Sequence, residues 1–366
     1  MLTPQRAIVN EEEPFSGIYK KLYEIGNTEE IKQVLREAKV NSPHLSGDIV
    51  LGYSKEDTIS NLRRAVALEI VSKEVVHRLL WDSEENGQQH ILLLIPANQD
   101  IASKLAMGTW IADKVFGEEN WGNDRFPAFV DPHEAYEWAD FRIGLPGANY
   151  DWIGKMYGHE RIRVPVGTQK TDEDDEGIIS VTRTYKYSEI RTVLVARWNH
   201  PHFLELRVDN RQLRATDSID ERRNELWKAF SEVFSIDDFD GFPIDKTLKK
   251  MVHNRLDKEN IGIYSIGKIE LVDPDSGKVT MLPCESGHLD DSAPRSATLQ
   301  TALNEGLSPH SVNVKWSKND DTPPSMPEQL DSIIKKTNFG PEVSIRKRVT
   351  PEVLNYVLDR IRKYAE

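Results

Sequence analysis

The sequence is short of the residues that staple, anchor or carry covalent chemistry. Among 366 residues Cys284 is the one cysteine, which excludes an internal disulfide and a thiolate zinc cluster. No run of eighteen apolar residues occurs. The longest apolar stretch, Ile91 to Ile95, has the length of a buried strand and not of a membrane span. The opening MLTPQRAIVNEEEPF lacks the basic start and apolar stretch of a secretory signal. A cytoplasmic protein with no membrane contact is therefore expected.

Glycine-based phosphate loops are missing as well. Such loops need closely spaced glycines so that backbone N–H groups can approach an anion. Neither a Walker-type sequence nor a G-x-G-x-x-G fingerprint is present, and Gly144-Leu-Pro-Gly147 reads as a turn. A G-x-S-x-G nucleophile elbow is absent too. ATPase and α/β-hydrolase readings fall away as leading candidates.

What is present suits packed cores: 38% hydrophobic residues, with eight Trp, eleven Tyr and eleven Phe. The length fits two domains. Charge is unevenly shared. Residues 1 to 177 hold 19 Lys and Arg against 31 Asp and Glu, net −12, whereas residues 178 to 366 hold 28 against 29, net −1. Between them GTQKTDEDDEG, residues 167 to 177, carries five successive acids, which cannot bury apolar surface and read as a solvated linker at 171–177.

The fold class expected is α+β. A mainly helical part (1–170) precedes a mixed part (178–366), in which antiparallel hairpins are packed by helices. Ile31, Val34, Leu35 and Ala38 have helical spacing, as do Ile59, Leu62, Ala65, Val66 and Ile70. Ser72 caps a third helix, SKEVVHRLLW. The strand HILLLIPA and a helix from about Asp100 to Val115 follow. Residues 110 to 165 read as irregular and aromatic-rich, and Trp121, Trp138 and Trp152 stand out as candidates for a ligand pocket.

In the second part Val193–Trp198 and His202–Val208 read as strands. IYSIGKIELV-DPDSG-KVTML reads as a hairpin, and two helices, near 218–234 and 245–258, lie between these strand pairs. Residues 283 to 330 read as mostly loop, with a helix near 297–303 and the strand VNVKW. At the end, Val343, Ile345 and Val349 alternate with Ser344, Arg346 and Arg348 as a strand with one basic face. Thr350 and Pro351 then open a helix buried through Val353, Leu354, Val357, Leu358 and Ile361.

Clusters that resemble chemistry have structural readings. Asp131-Pro-His-Glu134 reads as a helix cap continued by AYEWADF. His200-Pro-His202 is a turn, and Cys284 with His288 has no second cysteine to complete a zinc set. Asp273-Pro-Asp275 with Lys278 has residue types found around Mg²⁺ in nucleases but sits on a hairpin turn. Helices around Arg63 and Arg64 lack a polar recognition helix for DNA. No catalytic, metal or cofactor residue is therefore nominated.

The positive lead is basic pairs: Arg222-Arg223, Lys249-Lys250, Lys335-Lys336 and Arg346-Lys347-Arg348, all in the second part. They favour a non-enzymatic binding or adaptor protein. Its second part contacts nucleic acid and its acidic first part contacts a protein, as in a DNA-processing or phage-defence assembly. The alternatives are a metal-dependent hydrolase or nuclease with ligands from distant segments, and a small-molecule sensor using the aromatic region.

Overall fold

The computed structural model describes residues 12–45, 47, 49–116, 136–144, 150–173, 178–199, 203–209, 219–231, 233–260, 262–273, 275, 277–283, 288–289 and 291–366. Four helices come first: α1 (Glu12–Ile25), α2 (Thr28–Asn41), α3 (Lys55–Ala67) and α4 (Lys73–Glu85). Each of the last three is started by a side chain. Asn27 accepts from Glu29 N, Ser54 and Asp57 form a reciprocal capping box, and Ser72 accepts from Val75 N. Their apolar stripes meet in a core of their own, with Leu22, Ile31, Leu35, Leu62 and Leu80 inaccessible.

Strand β1 (Gln89–Pro96) opens the sheet. Its unbroken apolar run has a simple cause: Ile91 and Leu93 feed one core while Leu92 and Leu94 feed another on the opposite face. Helices α5 (Gln99–Ala106) and α6 (Gly108–Phe116) follow. The single helix expected there is broken at Met107, whose N–H bonds back to Lys104 O at 3.1 Å.

The remaining elements are β2 (Glu137–Ile143), β3 (Trp152–Glu173), β4 (Ile179–Asn199), β5 (Phe203–Asp209), α7 (Ile219–Phe230), β6 (Phe239–Gly241) and α8 (Ile244–Leu256). After them come β7 (Tyr264–Val272), β8 (Lys278–Met281), α9 (Ala293–Asn304), β9 (Ser308–Ser317), β10 (Gln329–Thr337), β11 (Gly340–Ile345) and α10 (Pro351–Ala365). The strands form one antiparallel sheet in the order β2-β3-β4-β5-β1-β11-β10-β9-β7-β8, and β6 adds to β1. Thus the fold is α+β. Helices α8, α9 and α10 cover one face, while α5, α6 and α7 cover the other beneath β1 to β5. In α10, burial of Val353, Leu354, Val357, Leu358 and Ile361 contributes about 1.5–3 kcal/mol each.

Several expectations are corrected. The stretch read as a linker belongs to a hairpin: Thr171, Asp172 and Glu173 lie in β3 and pair with Val181, Ser180 and Ile179 of β4. Residues 174–177 lie outside the described residues. The sheet itself runs through both halves of the chain, with β1 between β5 and β11. Within the region read as irregular, 137–143 and 152–173 are strands, so AYEWADF does not continue a helix.

Glycines misled there. A Cβ on Gly154 would come within 2.8 Å of the Trp138 ring, and one on Gly158 within 2.7 Å of Tyr136, so both are packing sites and not turns. Strand β10 begins at Gln329, at the close of the stretch read as mostly loop, and β11 ends at Ile345, ahead of Arg346 and Arg348. Asp131, His200, His202 and Cys284, with the cap, turn and thiol readings placed on them, lie outside the described residues.

Candidate functional site

Among the described residues, titratable groups converge at the junction of the helical bundle with the sheet. Register places Asp140 of β2 directly beside Lys155 of β3, and the end of α4 lays Glu84 and Glu85 over them. Lys155 Nζ lies 2.9 Å from Glu85, 3.4 Å from Glu84 and 3.5 Å from Asp140. Tyr157 donates to Glu84 at 3.0 Å, and the Arg142 guanidinium pairs with Glu85 while stacking 4.5 Å over the Trp81 ring. On the next strand, β4, Arg197 donates to Asn355 Oδ1 at 2.8 Å, and beyond it on β5 Arg207 donates to Glu205 and to the Glu85 carbonyl, both at 2.7 Å.

Burial governs the ionisation of these groups. It pushes the Asp82 and Asp140 carboxyls up, against the pull of the neighbouring cations, and lowers Arg197 to about 10. Three carboxylates around a lysine have the residue types of a nuclease centre, but Lys155, Glu84, Glu85 and Asp140 are all buried. The cation among the carboxylates is the Lys155 ammonium itself, so the arrangement is an ionic fastening of α4 to the sheet. Among the described residues no group of three His, Cys, Asp or Glu is placed to hold a metal ion.

The basic pairs are not all on the surface. Arg222 is buried and donates to Asp209 O at 2.7 Å. Arg223 is buried against Asp220 and Glu342, and Lys335 lies 3.3 Å from the same Glu342, which His90 Nδ1 also meets at 2.6 Å. Lys336 pairs with Asp245 at 3.0 Å. Arg348 donates to Gly26 O and Glu24 O, closing the end of α1, while Arg346 and Lys347 are exposed, the latter donating to Gln329 O.

Lys249 and Lys250 are exposed on α8. With Lys246 and His253 they occupy positions i, i+3, i+4 and i+7, a single exposed basic stripe beside the end of α10. A shallow depression of about 480 Å³ at that end of α10 has its charges largely matched, Arg360 with Asp321 and Arg362 with Asp359.

The tryptophans divide. Trp152 is inaccessible, donates to Leu105 O at 2.7 Å and stacks on Phe141, so it is core and lines no ligand pocket. Trp138 is half-buried against Gly154. Trp121 lies outside the described residues. Of the nuclease-like turn, Asp273 Oδ1 accepts from Gly277 N at 2.8 Å and Lys278 pairs with Glu270 at 2.7 Å, as a hairpin requires.

The element that the sequence reading missed is the long hairpin. Among the described residues, β3 and β4 pair only with each other beyond Tyr157 and Val193, projecting an arm of roughly 50 Å from the sheet. From Ile178 to Tyr187 every residue is exposed, whereas Thr192 to Trp198 of the same strand is buried. Ile179, Val181, Arg183, Tyr185 and Tyr187 share one face by alternation, and the four apolar members are 62%, 51%, 44% and 54% accessible. The signal was the period-2 run ISVTRTYKYSEI, obscured by the acids beside it.

No family model matches the chain, and no curated protein is significantly similar to it. Among the described residues no helix is long and apolar enough to cross a membrane. Fold and site together define an α+β protein whose buried charges are met by opposite charges and whose projecting ribbon carries a row of exposed apolar groups.

Proposed function

We propose that this chain is a binding protein, a subunit of a larger assembly, and that the β3–β4 arm is its contact element. The observation that carries the reading is the one-sided apolar face of Ile179, Val181, Tyr185 and Tyr187, held away from the core. Exposed apolar patches mark interaction surfaces, and a two-stranded ribbon alone is marginal in water. Photo-crosslinking in the cells that produce the protein tests this. A reactive phenylalanine analogue at Tyr187 should yield covalent adducts, and one at the fully exposed Tyr53 should not. Equal yields at both positions, or none at Tyr187, would remove the reading.

A second surface is favoured by the stripe Lys246, Lys249, Lys250 and His253 on α8. Such a row contacts the phosphates of a nucleic acid, as suits a subunit of a DNA-processing or phage-defence assembly. Double substitution of Lys249 and Lys250 with Ala should weaken binding of labelled DNA or RNA and lower its salt slope by about 2. Anisotropy that is flat at low salt in the parent protein counts against it.

A further inference from the structure

We infer that the outer edge of β4 in the arm pairs, antiparallel about a two-fold axis, with the same edge of a second copy of this chain. The inference rests on the arm being a contact element and names its partner.

The two edges of the arm are unequal. On β3, Pro165 has no N–H to donate, Gly167 takes φ +75°, and the register shifts between Val166 and Lys170. Each of these features spoils a strand edge as a pairing template. From Ile179 to Arg191, by contrast, β4 contains neither Pro nor Gly and is dominated by Ile, Val, Thr and Tyr, the residues that favour strands. Along that stretch its strand neighbour among the described residues is β3, whereas from Leu194 it has both β3 and β5. An added strand would extend the pattern that β5 already makes at the root.

The edge is also complementary to itself. In a two-fold antiparallel pair, residues equally spaced about the axis face each other. An axis at Tyr185 sets Tyr185 against Tyr185, Arg183 against Tyr187, Thr184 against Lys186 and Ile179 against Arg191. The Tyr185, Arg183–Tyr187 and Thr184–Lys186 pairs are aromatic, cation–π and polar, and no like charges are opposed from Ile179 to Arg191. The stretch from Ile179 to Thr192 holds the two sheet bodies apart by about 40 Å of ribbon.

Sedimentation velocity of the full chain is expected to show a monomer–dimer equilibrium that moves toward dimer across the micromolar range. Combining Arg183→Glu with Tyr187→Glu opposes acids across the axis. That variant should stay monomeric while keeping the parent melting temperature, because both residues stand outside the core. In a Cys284→Ser background, Tyr185→Cys should oxidise to a covalent dimer, since facing Cα atoms in such a ladder are about 4.5–5.5 Å apart, and Lys170→Cys on β3 should not. A parent chain monomeric at every concentration, a dimer indifferent to the double substitution, or equal crosslinking through Lys170→Cys overturns the inference. Photo-adducts at Tyr187 to other proteins, with a monomeric chain, would leave the contact element standing and remove only the second copy.

Discussion

Lys155 Nζ sits 2.9 Å from Glu85 Oε1 in an interior that neither side chain leaves. Removing one member of such a pair leaves a buried charge without its partner, which costs more than the pair contributes. Lys155→Met is expected to lower stability by about 3–5 kcal/mol in urea unfolding, with α4 detaching first in hydrogen exchange. A loss below about 1 kcal/mol would show that the fastening is not ionic.

Glu30 titrates far from its usual range. Burial, with Asp82 and Glu352 nearby, raises its carboxyl from 4.5 to about 7, against Asn27 and Arg348. Between those two values the folded chain holds a proton that the unfolded chain has released, so stability falls as pH rises through that window. Glu30→Gln keeps the neutral form. It is expected to add about 2 kcal/mol at pH 8 and nothing at pH 4. Melting curves at the two pH values check this, and an equal effect at both contradicts it.

Gly154 gives the Trp138 ring its seat. Gly154→Ala forces the ring or strand β3 to shift and should cost about 1–3 kcal/mol, accompanied by a changed tryptophan emission spectrum. Gly47→Ala is the control, because its added methyl meets nothing within 4 Å.

Arg348 joins the two ends of the chain through carbonyls at the close of α1. Arg348→Ala is expected to destabilise by about 1–3 kcal/mol, with faster exchange in α1 than in α10. Uniform change across both helices would argue against a local tie.

The local grammar of the sequence was readable. Thr350 and Pro351 opened α10 as expected, Ser72 capped α4, and Asp273 with Gly277 turned the β7–β8 hairpin. What failed depended on distant partners. Charged groups at Asp140 and Lys155 occupy buried positions because each answers the other and α4, which breaks the apolar alternation that marks a strand. The acids at 172–176 have the composition of a linker, and nothing local reveals that Thr171 pairs with Val181. Arg222, Arg223 and Arg348 look like surface cations until the carbonyls and carboxylates they meet, up to 324 residues away, are known.

Hydrogen exchange along the arm tests the pairing of two copies most directly. In dilute protein, amides from Ile178 to Tyr187 should exchange much faster than those from Leu194 to Trp198, and they should slow as concentration rises and arms associate. Exchange in the arm that is unchanged between submicromolar and high micromolar protein, or as slow as the sheet body in dilute solution, would contradict it.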